Sequence, residues 1–307
     1  MDELTLFQDF ANNLSPFSSS ISVVVGAVIS TLFLRANTKT SEFEKIKAGK
    51  FKDAIELLLE NGKMSYLEFY KCKNFLDIAK KADSLLLKIE PPQNNNQNTE
   101  FNFDWYMRFF EAASNIKNED MQKLWAAVLA GEVHQSGSFS LRTIDTLYNL
   151  APFEAELFEH ISEIVLDCSF IFSSMDDIGQ EINARYGFDN DSLRILEECG
   201  ILNGLMVRSQ IELLPNERCG FSCGDKLLLI QSKHTESFVF DYNCYKLTMV
   251  GVQIFSAIFS KANDNYLREL GREMQSKYPF LNISLHPFDG EENDCITYNS
   301  EIDLLKE

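Results

Sequence analysis

Apolar residues follow three patterns along this chain: one uncharged run near the start, several helical stripes, and short strand-like runs beyond residue 200. The uncharged run extends from Phe10 to Leu34, and its apolar part, Phe17 to Leu34, is FSSSISVVVGAVISTLFL, 18 residues. As a helix it is about 27 Å long, the short end of what a bilayer requires. This predicts an N-terminal transmembrane helix. Leu4, Phe7, Phe10, Ala11 and Leu14 before it repeat at helical spacing and predict a short amphipathic helix on the membrane surface. A signal peptide fits poorly, because the leading region is acidic and no small-residue cleavage site follows Leu34. A buried core helix is the alternative.

Bases follow the run (Arg35, Lys39, Lys45, Lys47, Lys50, Lys52) and none precedes it, which puts the N-terminus outside and the body in the cytoplasm. Ser22, Gly26 and Ser30 fall at i, i+4 and i+8 on one face, which Ser19 extends. A stripe of small residues lets helices approach closely in lipid. Ser19, Ser22, Gly26 and Ser30 are therefore the expected oligomer interface, and several copies around an axis would line a pore. A plain anchor with serines bonded to their own backbone is the bland alternative.

Residues 35–90 predict a membrane-proximal helical segment. One stripe (Phe43, Ile46, Phe51, Ile55, Leu58, Leu59) stops at Asn61-Gly62, and a second runs from Ser65 to Ile89. PPQNNNQNTE, residues 91–100, reads as a linker. Residues 101–166 predict a helical domain. There Asn118 caps a helix carrying Met121, Leu124, Trp125, Val128 and Leu129, Ser140 caps the next, and Pro152 opens a third.

Residues 167–307 predict a winged-helix-like α+β domain. It has helices over Ile178–Tyr186 and SLRILEECGIL, wing strands around Leu205–Leu214, Leu227–Ile230 and Phe238–Leu247, and a helix capped by Thr248. Residues 261–307 add a helix over Asn263–Lys277, a strand over Phe280–Leu285 and an acidic tail. The fold class expected is mainly α with a smaller α+β part: transmembrane helix, helical bundle and winged helix.

Charge refines this picture. The net −18 is uneven: −3 over residues 1–34, +3 over 35–90 and −18 over 91–307. An acidic body repels polyanions, and the second winged helix holds Asp189, Asp191, Glu197 and Glu198 against Arg194. Duplex DNA is therefore not an expected partner. Seven scattered cysteines suit reduced thiols better than a disulfide framework. Cys219, Cys223, His234 and Cys244 can be drawn as a zinc site, but the spacing matches no common knuckle, so no metal is expected.

The run NEDMQKLWAAVLAGEVHQSGSFSLRTIDTLYNLAPFEAELFEHI carries a resemblance. Its elements are the aromatic helix Trp105–Phe110, Leu124–Ala126, Leu129–Glu132, Gly137–Ser140 and Leu141–Thr143. They resemble a widespread bacterial family of unknown function found among membrane effectors of abortive infection, and the arrangement is similar to the channel-type effector of the Hailong anti-phage system. The resemblance implies an inner-membrane location and a nucleotide or short oligonucleotide ligand made by a partner nucleotidyltransferase.

Gly-rich phosphate loops, Rossmann glycines, nucleophile elbows and paired histidines are lacking, so no enzyme, catalytic residue or cofactor is expected. One anion site is expected at Ser138, Ser140 and Arg142, where a Gly-Ser loop and an arginine meet a helix start; the alternative is that Ser140 only caps the helix. The function expected is a membrane-anchored homo-oligomer, a tetramer favoured, in contact with the lipid bilayer. It would form an ion-conducting pore in anti-phage defence, gated by that ligand. The other reading is a membrane-tethered winged-helix regulator or scaffold without channel activity.

Overall fold

The structure is a computed structural model. It describes residues 20–38, 43–89, 102–175, 180–258, 261–292, 295–300, 303 and 305. The expected amphipathic segment at residues 4–14, Ser19 and the linker at residues 91–100 lie outside them. The chain forms two compact units, residues 1–149 and 150–307.

The first unit is helical: α1 (Ser20–Thr38), α2 (Phe43–Glu60), α3 (Tyr66–Leu86), α4 (Phe103–Ala113), α5 (Glu119–His134) and α6 (Leu141–Asn149). The stop signals act as expected. Gly62 takes a left-handed φ of +64°, and Ser65 caps α3 in a reciprocal box with Glu68. Asn118 accepts from Met121 N at 2.9 Å to start α5.

The expected transmembrane helix is corrected here. Among the described residues no helix is long and apolar enough to cross a membrane. Instead α1 packs on α3, α4 and α5. Residues 24 to 29 are all buried, and six consecutive residues go round a helix more than once. A helix that is apolar all round is buried, and here the protein itself buries it. The uncharged run thus reflects a helix in the centre of a bundle, and the single-pass inner-membrane location expected from it is withdrawn. Gly26 is buried and Ser22 and Ser30 are half-buried in that bundle. Around α1 the core is aromatic: Trp105 stacks on Phe109 at 5.3 Å, and Phe109 meets Trp125 edge-on at 5.3 Å.

The second unit is α+β: α7 (Pro152–Ser162), β1 (Val165–Leu166), β2 (Phe170–Ser174), α8 (Gln180–Arg185), α9 (Asn190–Glu198), β3 (Leu202–Leu213), β4 (Arg218–Cys223), β5 (Lys226–Ser232), β6 (Phe238–Leu247), α10 (Met249–Ala257), α11 (Asp264–Lys277), β7 (Leu281–Glu292) and β8 (Cys295–Tyr298). Two four-stranded antiparallel sheets form, in the orders β1-β2-β6-β3 and β4-β5-β7-β8. The elements α7, β2, α8, α9, β3 and β6 follow one another, and β6 lies between β2 and β3 in the first sheet.

The fold class needs a second correction. Among the described residues strands make up about 22% against 54% helix, so these residues form an α+β structure with two sheets and not a mainly helical one with a small mixed part. Leu227–Ile230 is no wing strand of the first sheet. It pairs with β4 and β7 in the second, because residues 214–237 leave the β3–β6 ribbon as a separate hairpin. Asp167 joins the sheets: its N–H donates to Ser222 O at 2.8 Å, and its carboxylate accepts from Ser222 N at 2.7 Å.

Candidate functional site

In the first unit, the predicted anion loop is wrapped around one of the chain's own carboxylates. Glu132, at the end of α5, is buried and accepts from Gly137 N at 2.7 Å and Phe139 N at 3.0 Å. Phe139 is held from both sides: its carbonyl accepts from Trp105 Nε1 at 2.7 Å, and its ring lies where a Cβ on Gly131 would be. Burial pushes the Glu132 pKa up, against the lowering effect of the backbone N–H groups of Gly137, Phe139 and Ser138.

Of the predicted residues, Ser140 Oγ accepts from Thr143 N at 3.2 Å and so caps α6, and Ser138 Oγ donates to Gln135 O at 2.6 Å. Arg142 is exposed on α6. The loop N–H groups that an incoming phosphate would use at Gly137 and Phe139 already face Glu132.

The zinc drawing is not assembled. Cys219 and Cys223 stand at opposite ends of β4, opposite Ile230 and Lys226. Cys244 lies 3.7 Å from Ser209 Oγ, and His234 packs on Phe280. Burial pushes the Cys72 and Cys219 thiols up to about 12. Among the described residues no group of three or more His, Cys, Asp or Glu is placed to hold a metal. His286, isolated in the sequence, lies 2.7 Å from Ser284 Oγ, and both are buried in β7. Period-2 alternation could have found this pair, since i and i+2 share a strand face.

A groove in the second unit escaped sequence reasoning. Asn263 caps α11 by accepting from Tyr266 N at 3.2 Å. Tyr266, Leu267, Leu270 and Met274 bury one face of α11, which packs on β7. The other face, Asn265, Arg268, Glu269, Arg272, Glu273 and Ser276, lines a cavity of about 470 Å³ closed on one side by Tyr186. Arg185 of α8 ion-pairs with Glu269, and the Tyr186 hydroxyl donates to Glu269 Oε2 at 3.0 Å. The Tyr186 pKa is pushed up by burial first and by that bond second. Arg268, Arg272 and Glu273 complete the charged lining beside Glu269. Residues 150–307 hold 12 Lys/Arg against 27 Asp/Glu, so a lining with two arginines and two glutamates is less acidic than its surroundings. Arg268 and Arg272 sit at i and i+4 on adjacent turns and so share one face of α11.

These features define a two-unit α+β protein with a groove lined by arginines and glutamates. The chain belongs to the family described as Protein of unknown function (DUF2806), which matches residues 63–271. No curated protein and no solved structure matches it.

Proposed function

We propose that the chain is a ligand-responsive regulatory protein that takes a phosphate-bearing molecule, a nucleotide or short oligonucleotide, in the groove between α8 and α11. The observation that carries this reading is the pair Arg268 and Arg272 lining a cavity of about 470 Å³ in a unit that is otherwise strongly acidic. The groove is open to solvent on α11, and guanidinium groups suit phosphate. The setting is bacterial anti-phage defence, on the resemblance of the 118–161 block to abortive-infection effectors. Binding, not bond-breaking, is the role assigned to the groove. Bilayer pores do not enter this reading, since the helix that would line them is a core helix. Duplex DNA is also left out: Asp189, Asp191, Glu197 and Glu198 are all exposed on and beside α9, and Arg194 pairs with Asp191 at 3.4 Å.

Calorimetric titration of the full chain with mono-, di- and oligonucleotides tests this. Binding by the wild type and its loss in Arg268→Ala/Arg272→Ala are expected; equal affinity in both proteins overturns the groove assignment.

A further inference from the structure

We propose that a second copy of this chain docks on the exposed face of α3, through the acidic and apolar end of its own second unit. Tyr66, Leu67 and Tyr70 lie on one side of α3 and are 76%, 68% and 59% exposed. Leu57 on α2, which packs on α3, is 58% exposed. Isolated apolar residues on a surface need no explanation, but Tyr66, Leu67 and Tyr70 fall within one side of a single helix and form a patch, and patches mark interfaces. The patch sits in a basic setting: residues 61–89 carry six lysines against three acids in a chain of net charge −18. Lys73, one turn beyond Tyr70, is exposed.

The second unit carries the complement. Leu205 and Met249 are 73% and 75% exposed, and Glu197 and Glu198 are exposed beside them. The local fold gathers these four. The Glu197 carboxylate lies over Gly204, next to Leu205, and Thr248, the residue before Met249, donates to Gly200 O at 2.6 Å. One chain therefore presents an apolar–basic face on one unit and an apolar–acidic face on the other. Charges of opposite sign around apolar centres select partner and register. A nucleic acid on the Tyr–Lys face would leave Leu205 and Met249 without a role, whereas a second copy accounts for both patches. Two different faces make a heterologous contact, which closes a ring or runs on as a filament. None of this depends on the groove.

Sedimentation velocity and native mass spectrometry of the full chain test the proposal with Lys71→Glu/Lys73→Glu, Glu197→Lys/Glu198→Lys and their combination. The wild type is expected to exceed a monomer in a concentration-dependent way. Each reversal should raise Kd by about tenfold or more, and the combination should restore assembly. Leu67→Ser, at an exposed position, should also weaken assembly with an unchanged circular dichroism spectrum. A wild type that stays monomeric, an oligomer indifferent to either reversal, or a rescue independent of concentration (a contact inside one chain) overturns the proposal.

Discussion

Two places in this molecule bring arginine together with hydrogen-bonding groups, and they have opposite fates. The loop at residues 135–143 has serines, backbone N–H groups and Arg142, yet it closes on Glu132 from inside the same chain. The groove on α11 holds two acids: Glu269, engaged by Arg185 and Tyr186, and Glu273, which lines the cavity with Arg268 and Arg272. On the proposed reading, a loop whose donors already meet an internal carboxylate is the poorer place for an incoming anion. A carboxylate five to seven residues upstream takes the loop's N–H groups, and an arginine on a different helix engages Glu269 at the groove.

Removing the internal anion gives the largest expected effect. Glu132→Ala leaves the buried Phe139 N–H and the more exposed Gly137 N–H without their acceptor; an unpaired buried donor costs about 1–3 kcal/mol, and loss of a buried side chain adds to it. A loss of about 2–4 kcal/mol is expected in urea unfolding of the helical unit, with nucleotide affinity in the groove unchanged. A loss below about 0.5 kcal/mol would mean that water replaces the carboxylate and the loop is an open site after all. Next in size is Arg268→Ala/Arg272→Ala, which should weaken nucleotide binding about 10- to 100-fold, as expected when charge-assisted bonds are lost. Its unfolding midpoint should stay near that of the wild type. A large drop in stability would make these arginines structural and erase the contrast with the loop.

Much of the architecture is legible from residues 43–149 because the signals there are local. Asn118, Ser65 and Ser140 satisfy N–H groups within three residues, and Gly62 needs only its own φ. The uncharged run Phe17–Leu34 is a different matter. Freedom from charge states that a helix is surrounded by apolar groups, and cannot state whether those groups belong to lipid or to α3, α4 and α5. Residues 226–232 were legible as a strand but not in the right sheet, since their partners lie at 218–223 and 281–287 and antiparallel register across fifty residues leaves no local trace. The groove was illegible for the same reason: Tyr186 and Glu269 are 83 residues apart. The helical spacing of Arg268 and Arg272 was visible, but an i, i+4 pair of arginines on an amphipathic helix usually marks a solvated face.

A smaller effect separates burial from hydrogen bonding at Glu132. Its folded pKa is raised, so between the ordinary glutamate value and that raised value the folded chain holds more proton than the unfolded one. Stability contributed here is therefore present at low pH and lost as pH rises through the window, after which it is constant. Glutamine does not titrate, so the wild type's stability minus that of Glu132→Gln should fall as pH rises through the window. Urea midpoints of both proteins measured from mildly acid to neutral pH read this directly. A difference that grows with pH would mean that the three N–H groups outweigh burial and hold the carboxyl below its ordinary value.

The smallest effect is expected at Arg142, and it is the sharpest test of the contrast. Arg142 stands on α6 just after a glycine–serine loop, the position from which sequence alone would recruit it for phosphate. In the fold it is exposed, while the loop's N–H groups at Gly137 and Phe139 and the hydroxyl of Ser140 are directed to Glu132 and Thr143. A phosphate approaching Arg142 would meet one solvated guanidinium and a nearby buried carboxylate, a combination that offers little in water. Arg142→Ala should accordingly change both unfolding free energy and nucleotide affinity by less than about 0.5 kcal/mol, the range of ordinary surface substitutions. Titration calorimetry of Arg142→Ala beside Arg268→Ala/Arg272→Ala settles which arginines meet the ligand. Should Arg142→Ala lose about tenfold in affinity while the α11 double variant binds normally, the loop must open, exchange Glu132 for the ligand and act as the true anion site.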